Sequence, residues 1–256
     1  MPSGPSWRSA AAYAYLDNLS PAELAWEFLR RNPRYRRDYR ATAGDVDPPA
    51  AVSERVRARW GLCFPIDPDL RADEAPVVWL PELDPGAVLL ASAPATFTDA
   101  QTVGTIMPSF QRSTRDFTCW IVEDGHGRLP VVRIGDVGAL APAAAVIPLD
   151  ADFTTRLGAS LRLRNRITGR HAHPPDRMTA QRRQRLALTL RALDGRLGHA
   201  TYRAIAQNLF GRAGLPAGPA WRTHGLRDRT IRLARSGLKL MRGGYLGLLR
   251  SPQPPR

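Results

Sequence analysis

Glutamate is missing from residues 151–256, lysine occurs once in the whole chain (Lys239), and cysteine occurs twice, at Cys63 and Cys119. Each scarcity closes off a class of protein. Two cysteines far apart, neither with a partner at metal-ligand spacing, exclude a disulfide framework. They read as reduced, buried thiols of a cytosolic protein. No run of about 18 apolar residues occurs, so no membrane-spanning helix is expected. Met1-Pro2-Ser3-Gly4-Pro5 carries no apolar signal region, which fits a cytoplasmic location. The acids of residues 1–150 are scattered in turns, and no Ser/His/Asp order or paired-carboxylate motif is found. Gly125-x-Gly127 lacks the Lys-Ser/Thr and the helix that a phosphate loop needs. His171-x-His173 stands in a loop before Pro174-Pro175 without Cys or carboxylate ligands nearby, so it is not read as a metal site. Neither an enzyme nor a cofactor nor a metal is expected.

What the chain does have is arginine, and its placement is uneven. Residues 1–150 hold 15 Arg against 19 Asp and Glu, a net of −4, whereas residues 151–256 hold 22 Lys and Arg against 4 Asp, a net of +18. That split predicts a near-neutral first part and a basic, polyanion-binding second part. A high-GC genome produces the same preference for Arg over Lys, so the preference carries little by itself. The bidentate fit of guanidinium to phosphate and guanine still applies. Hydrophobic content of 43% supplies a core.

The expected fold class is α+β, in three consecutive parts. Residues 1–45 form a helical module, 46–150 a β-rich region with a small antiparallel sheet, and 151–256 a basic, trihelical, helix-turn-helix-like domain. In the first part Ala10–Leu16 reads as a short helix. Ser20-Pro21-Ala22-Glu23 is a capping box with Pro at the first helical position, and Asn32-Pro33 stops that helix. Arg34–Arg40 follows as another short helix, its tyrosines expected on Trp26 and Phe28. Residues 41–54 read as a linker, with a helix over Ser53–Trp60 and an extended strap from Trp60 to Pro68. Val77–Leu80 and Val88–Ala91 are short apolar runs about a Pro/Gly turn. Phe117–Val122 and Leu129–Ile134 flank a Gly-rich hairpin loop. The N-terminal helices are the expected cover for this sheet.

In the third part a helix capped by Asp150 or Asp152 runs to Ile167, with Phe153, Leu157 and Leu161 spaced as a core face. Thr179–Leu193 is the next helix, ended by Asp194-Gly195. Its Arg182, Arg183 and Arg185 are expected outside, adding sequence-independent DNA affinity. Thr201 caps a helix whose Tyr202, Ile205, Ala206, Leu209 and Phe210 share one face, and Gly211 ends it. Gly218-Pro219 opens a helix to Met241, with Ile231, Ala234, Leu238 and Met241 inward. On it Arg222, Thr223, Arg227, Arg229 and Arg232 are the candidate contacts to base edges and phosphates, while Thr201, Tyr202 and Arg203 anchor the backbone. Most basic amphipathic helices are merely solvated faces. The link from Phe210 to Pro219 also exceeds the turn of about 3–4 residues in a strict helix-turn-helix.

Two segments resemble known families. Trp7-Arg8-Ser9-Ala10-Ala11-Ala12-Tyr13 through Trp26-Glu27-Phe28-Leu29-Arg30-Arg31-Asn32-Pro33 is similar to the proteobacterial transcriptional regulator-like domain (DUF6499). Leu190–Arg196, Thr201-Tyr202-Arg203-x-Ile205-Ala206, Leu209-Phe210-Gly211, Trp221-Arg222-Thr223-His224, Leu226–Arg232 and Met241–Tyr245 resemble the DUF2285 domain, the DNA-binding domain of RovC-like regulators. The central region is similar only through Trp60-Gly61-Leu62-x-Phe64-Pro65-x-Asp67-Pro68. The resemblance implies a transcriptional regulator acting on double-stranded DNA. Relatives govern mobile-element transfer or secretion operons, and some short ones act as antiactivators on other regulators. For that alternative Trp221 and Tyr245 are the candidate aromatic anchors on another regulator protein. A single trihelical unit binds DNA weakly, so a homo-oligomer is expected.

Overall fold

Ser20 opens the first α-helix, α1 (Pro21–Leu29), with a complete capping box: its Oγ accepts the Glu23 N–H at 3.2 Å and its own N–H donates to Glu23 Oε2 at 2.7 Å. The structure is a computed structural model and describes residues 7–42, 50–104, 106–114, 116–135, 141–171, 178–213 and 215–250. After α1 come α2 (Pro33–Thr42), α3 (Ala50–Trp60), strands β1 (Val88–Ser92), β2 (Phe110–Ser113), β3 (Phe117–Glu123), β4 (Arg128–Ile134) and β5 (Ala143–Ala145). Helices α4 (Phe153–Ile167), α5 (Ala180–Leu197), α6 (Tyr202–Phe210), α7 (Gly225–Lys239) and α8 (Leu246–Leu249) complete the chain. The mixture of helix and sheet is the expected one. The chain forms two compact units, one of Met1–Arg37, Asp67–Glu74 and Met178–Gly247, the other of Asp38–Ile66, Ala75–Arg177 and Leu248–Arg256.

The first unit joins the N-terminal helices to α5, α6 and α7. Ahead of α1 a 3₁₀ segment, Ala11–Asn18, buries Tyr13 and Leu16. Helix α1 buries Leu24, Ala25, Trp26, Phe28 and Leu29, and Tyr35 of α2 meets Trp26 edge-on at 5.5 Å, the aromatic packing the sequence implied. Glu27 is fully buried beside Arg30 and Arg31, at 2.8 and 2.7 Å. Burial pushes its carboxyl up, but the Arg31 and Arg30 guanidiniums outweigh that and hold it at about 2. Its other oxygen accepts the Ala72 N–H at 2.8 Å, tying Asp67–Glu74 into the unit.

Helix α5 starts where expected, with Thr179 Oγ1 accepting the Arg182 N–H, but it runs on through Asp194-Gly195 to Leu197. The glycine is a packing device rather than a stop. A Cβ on Gly195 would lie 2.8 Å from Ile205 Cγ1 of α6. Gly237 of α7 does the same against α5, where a Cβ would lie 2.8 Å from Leu193 Cβ and 3.0 Å from the Thr189 carbonyl. Two glycines therefore set how closely three helices approach. Here an absent side chain decides the packing.

The second unit holds one five-stranded sheet in the order β2-β3-β4-β1-β5. The hairpin β3–β4 is as read, with Trp120 opposite Val131 and Cys119 opposite Val132. The sheet is not wholly antiparallel: β1 runs parallel to β4, with Val88 opposite Val131. The long return between β1 and β4 permits that pairing, which a two-residue hairpin would forbid. Val77–Leu80 is not a strand of this sheet. It lies along the strap, with the Cys63 N–H on the Val78 carbonyl and the Leu80 N–H on the Gly61 carbonyl.

The cover over the sheet also differs from expectation. One face carries Val88, Leu90, Trp120, Val122, Leu129 and Val131 beneath Ala159 and Leu163 of α4. The opposite face meets α3 and the strap: Phe64 packs on Phe110 at 5.4 Å and the Arg57 guanidinium lies 4.6 Å from the Phe117 ring. Helix α4 is turned relative to its apolar periodicity. Arg156, Ala159 and Leu163 are buried, while Phe153, Leu157 and Leu161 are 38%, 39% and 46% exposed. Arg156 explains the rotation, because it donates to the Pro81 carbonyl at 2.7 Å and pairs with Asp150 at 3.1 Å. Asp152 makes no side-chain cap.

Candidate nucleic-acid interface

The site is built on the first unit, from the start of α6 to the end of α7. Thr201 caps α6 by accepting the Ala204 N–H at 3.2 Å, and Gly211 ends it at a φ of 85°. Ile205 and Ala206 are fully buried, whereas Tyr202, Leu209 and Phe210 are half-buried. Two aromatic rings on α6 carry cations: Arg196 lies 4.7 Å from the Tyr202 ring and Arg229 lies 4.7 Å from that of Phe210. Tyr202 and Arg229, both read from the sequence as contact residues, are thus held in defined positions.

The continuous helix expected from Pro219 to Met241 is broken. Gly218–Thr223 forms a 3₁₀ turn, and His224, extended at φ −76° and ψ 135°, separates it from α7. His224 is also the cap of α7, its Nδ1 accepting the Leu226 N–H at 3.2 Å. The imidazole stacks on Trp221 at 6.3 Å, and the Arg203 guanidinium sits 5.6 Å from the same indole while donating to the Pro216 carbonyl at 2.8 Å. Arg203, Trp221 and His224 are therefore one cluster. Arg222 and Thr223 stand exposed on the turn just ahead of the α7 N-terminus, not within a helix. A helix N-terminus with free N–H groups and adjacent cations attracts a phosphate.

Along α7 the two faces separate by charge. Thr230, Leu233, Ala234 and Gly237 are buried, followed by Met241. Ile231 and Leu238 are only half-buried, so the inward face lies about one residue away from the one read from periodicity. Thr230 hides its hydroxyl by donating to the Leu226 carbonyl at 2.7 Å. Arg229, Arg232, Arg235 and Lys239 are exposed, and 3.6-residue periodicity puts the last three on one stripe. Arg227 is half-buried and 3.6 Å from Asp228. Sequence reasoning missed Arg235, Lys239 and His224. The signal was available for two of them, since they follow Arg232 at i+3 and i+7.

The three arginines of α5 divide. Arg185 is exposed and Arg182 half-buried, so both face solvent at least in part. Arg183 is committed inward, its Nη1 donating to the carbonyls of Leu16 and Leu19 at 2.9 and 2.6 Å. It satisfies the end of the N-terminal 3₁₀ segment. Tyr245, considered as an anchor for a partner protein, is buried at 1% exposure.

Among the described residues no group of three or more His, Cys, Asp or Glu side chains is placed to hold a metal ion; His173 lies outside them. No helix of the described residues is long and apolar enough to cross a membrane.

Comparison with known families gives the class. Residues 146–250 match the family model described as "T6SS, Transcription factor, DNA binding domain". That match, on the stretch that displays the basic helix α7, supports a transcription factor role. Residues 6–65 match the model described as "Proteobacterial transcriptional regulator-like domain", so the two matches together fit the two-domain description read from the sequence. No curated protein and no solved structure matches the chain. Neither matched stretch coincides with a compact unit, because each contributes residues to both.

Proposed function

We propose that the chain reads double-stranded DNA with α7, acting as the recognition element of a helix-turn-helix-like domain whose positioning helix is α6. The observation that supports this best is the separation of α7 into a buried apolar face and an exposed face bearing Arg229, Arg232, Arg235 and Lys239. A helix of this kind fits the B-DNA major groove, about 12 Å wide. Arg222, Thr223 and Arg227, at the N-terminal end, are the candidates for base edges, as the N-terminal residues of a recognition helix are. Arg232, Arg235 and Lys239 serve the flanking phosphates. Thr201, Tyr202 and Arg203 hold the backbone beside α6, and Arg182 and Arg185 add general attraction. The 3₁₀ turn and the His224 cap replace the short turn of simpler motifs and fix where α7 begins.

Binding of this type releases counterions. With six to eight phosphates neutralised, affinity falls roughly a thousandfold between low and moderate salt. A homo-oligomer is expected, because one such unit alone gives a small interface. The regulated genes are proposed to belong to a mobile element or a secretion operon. The test is fluorescence anisotropy of the purified chain on the DNA upstream of its own gene, with a scrambled duplex as competitor, at two salt concentrations. Preference for the upstream DNA that Arg227→Ala abolishes supports the assignment. Equal loss of both duplexes with salt, unaffected by Arg227→Ala, sinks it.

A further inference from the structure

The sheet face under α4 is not completely filled. A pocket of about 220 Å³, partly open to solvent, lies between Val103, Gly104, Ile106, Met107 and Pro108, the strands β2, β3 and β4, and α4. Val103, Trp120, Val131 and Leu163 wall it, and all four belong to the buried cluster of this unit. Met107 stands at its mouth, 90% exposed. The lining offers one side-chain amide, Gln111, and no charged group.

Close-packed interiors leave few voids larger than a water molecule. The pocket is partly open to solvent, and water inside it meets mostly apolar walls, so an apolar group that displaces that water gains affinity. An engineered apolar cavity of about 150 Å³ takes up benzene. By the same scaling this one has room for roughly nine non-hydrogen atoms. A charged occupant would lose its hydration with nothing to replace it. The methionine at the mouth is unbranched and mobile about three bonds, so it can admit a ligand without moving a strand. We propose that this cavity is a binding site for a small uncharged molecule: an apolar ring or branched chain ending in one hydroxyl or carbonyl, which meets Gln111.

The probe is 4-fluorobenzyl alcohol, a ring of suitable size with one hydroxyl, titrated into the full chain and followed by ¹⁹F line broadening and calorimetry. Saturable one-to-one binding is expected. Val131→Phe, which fills the cavity, and Met107→Glu, which puts a charge at its mouth, each weaken it by roughly tenfold or more. Gln111→Ala weakens the alcohol more than it weakens 4-fluorotoluene. Met107 is exposed, so its variant reports on the cavity even if Val131→Phe fails to fold. No saturation up to the solubility limit, or affinity unchanged in Met107→Glu, overturns the proposal.

Discussion

Tyr13 and Asp194 are 181 positions apart and share a hydrogen bond of 2.5 Å, the phenol donating to a carboxylate oxygen. Arg31 grips the same carboxylate with two N–H groups, at 2.5 and 2.8 Å. Burial pushes the Tyr13 hydroxyl up, and the Asp194 charge pushes it the same way, so the phenol stays a donor. Asp194→Ala leaves Arg31, whose side chain is 8% exposed, with Glu27 alone. Breaking a buried pair from one side costs about 3–5 kcal/mol, and the remaining Glu27 contact puts the expected loss near the lower end. Urea unfolding followed by circular dichroism measures it; a loss under about 1 kcal/mol would show that the network is not holding the N-terminal segment.

Gly237→Ala tests the close approach of α7 to α5. On an open helix the change gains about 1 kcal/mol from propensity. Here the methyl meets Leu193 Cβ and a backbone carbonyl, neither of which is the loose end of a side chain. Overpacking costs about 1–3 kcal/mol, so a net destabilisation is expected in thermal melts. Gly158, where a Cβ meets nothing within 4 Å, is the control, and Gly158→Ala is expected to stabilise.

Arg183→Ala and Arg235→Ala are expected to part company. The first removes donors from the Leu16 and Leu19 carbonyls and lowers the melting temperature while leaving the salt slope of DNA binding unchanged. The second leaves stability within about 0.5 kcal/mol and reduces the salt slope by about one. Anisotropy across a salt series, run beside melts of both variants, checks the pair. A reduced slope for Arg183→Ala would return that residue to the DNA-facing surface.

Asp84 predicts a pH effect. Burial raises its carboxyl to about 6, against the lowering pull of the Gly86 N–H and Arg156. Since the folded value lies above the unfolded one of 3.8, this site's stability is full below about pH 4 and declines as pH rises through 6. A gap of that size between the folded and unfolded values corresponds to a loss on the order of 3 kcal/mol by pH 8. Asp84→Asn keeps an oxygen for the Gly86 N–H, now 2.9 Å away, and cannot ionise. It should melt higher than the parent at pH 8 and close to it at pH 4. The reverse ranking at pH 8 would show that the carboxylate stabilises the turn.

Features that depend on a few neighbouring residues were legible in the sequence. The Ser20 box, the start of α5 at Thr179, the Thr201 cap, the Gly211 stop and the β3–β4 hairpin each depend on chemistry within about five residues. What was hidden depends on partners far along the chain. Asp194-Gly195 looks like a helix stop until Arg31 and Ile205 are placed against it. The parallel β1–β4 pair leaves no local mark. Helix α4 misled because its true inner face carries Arg156, whose partners are Pro81 and Asp150. Leu157→Lys is accordingly expected to cost under about 1 kcal/mol, far below the 2–5 of a buried leucine. In the candidate interface the arginines were visible, but the break at His224 was not, because Trp221-Arg222-Thr223-His224 contains neither Gly nor Pro.

The first compact unit joins residues up to Glu74 to Met178–Gly247, and the ribosome delivers the two at different times. Residues 75 to 177 emerge between them. At about 5–20 residues per second that is a delay of roughly 5–20 s. During it α1 has not met Leu240–Gly244, the segment after α7 that it packs against. If α7 reads DNA as proposed, its surface is complete only once residues up to Gly247 have left the exit tunnel, so a chain terminated before them is expected not to bind.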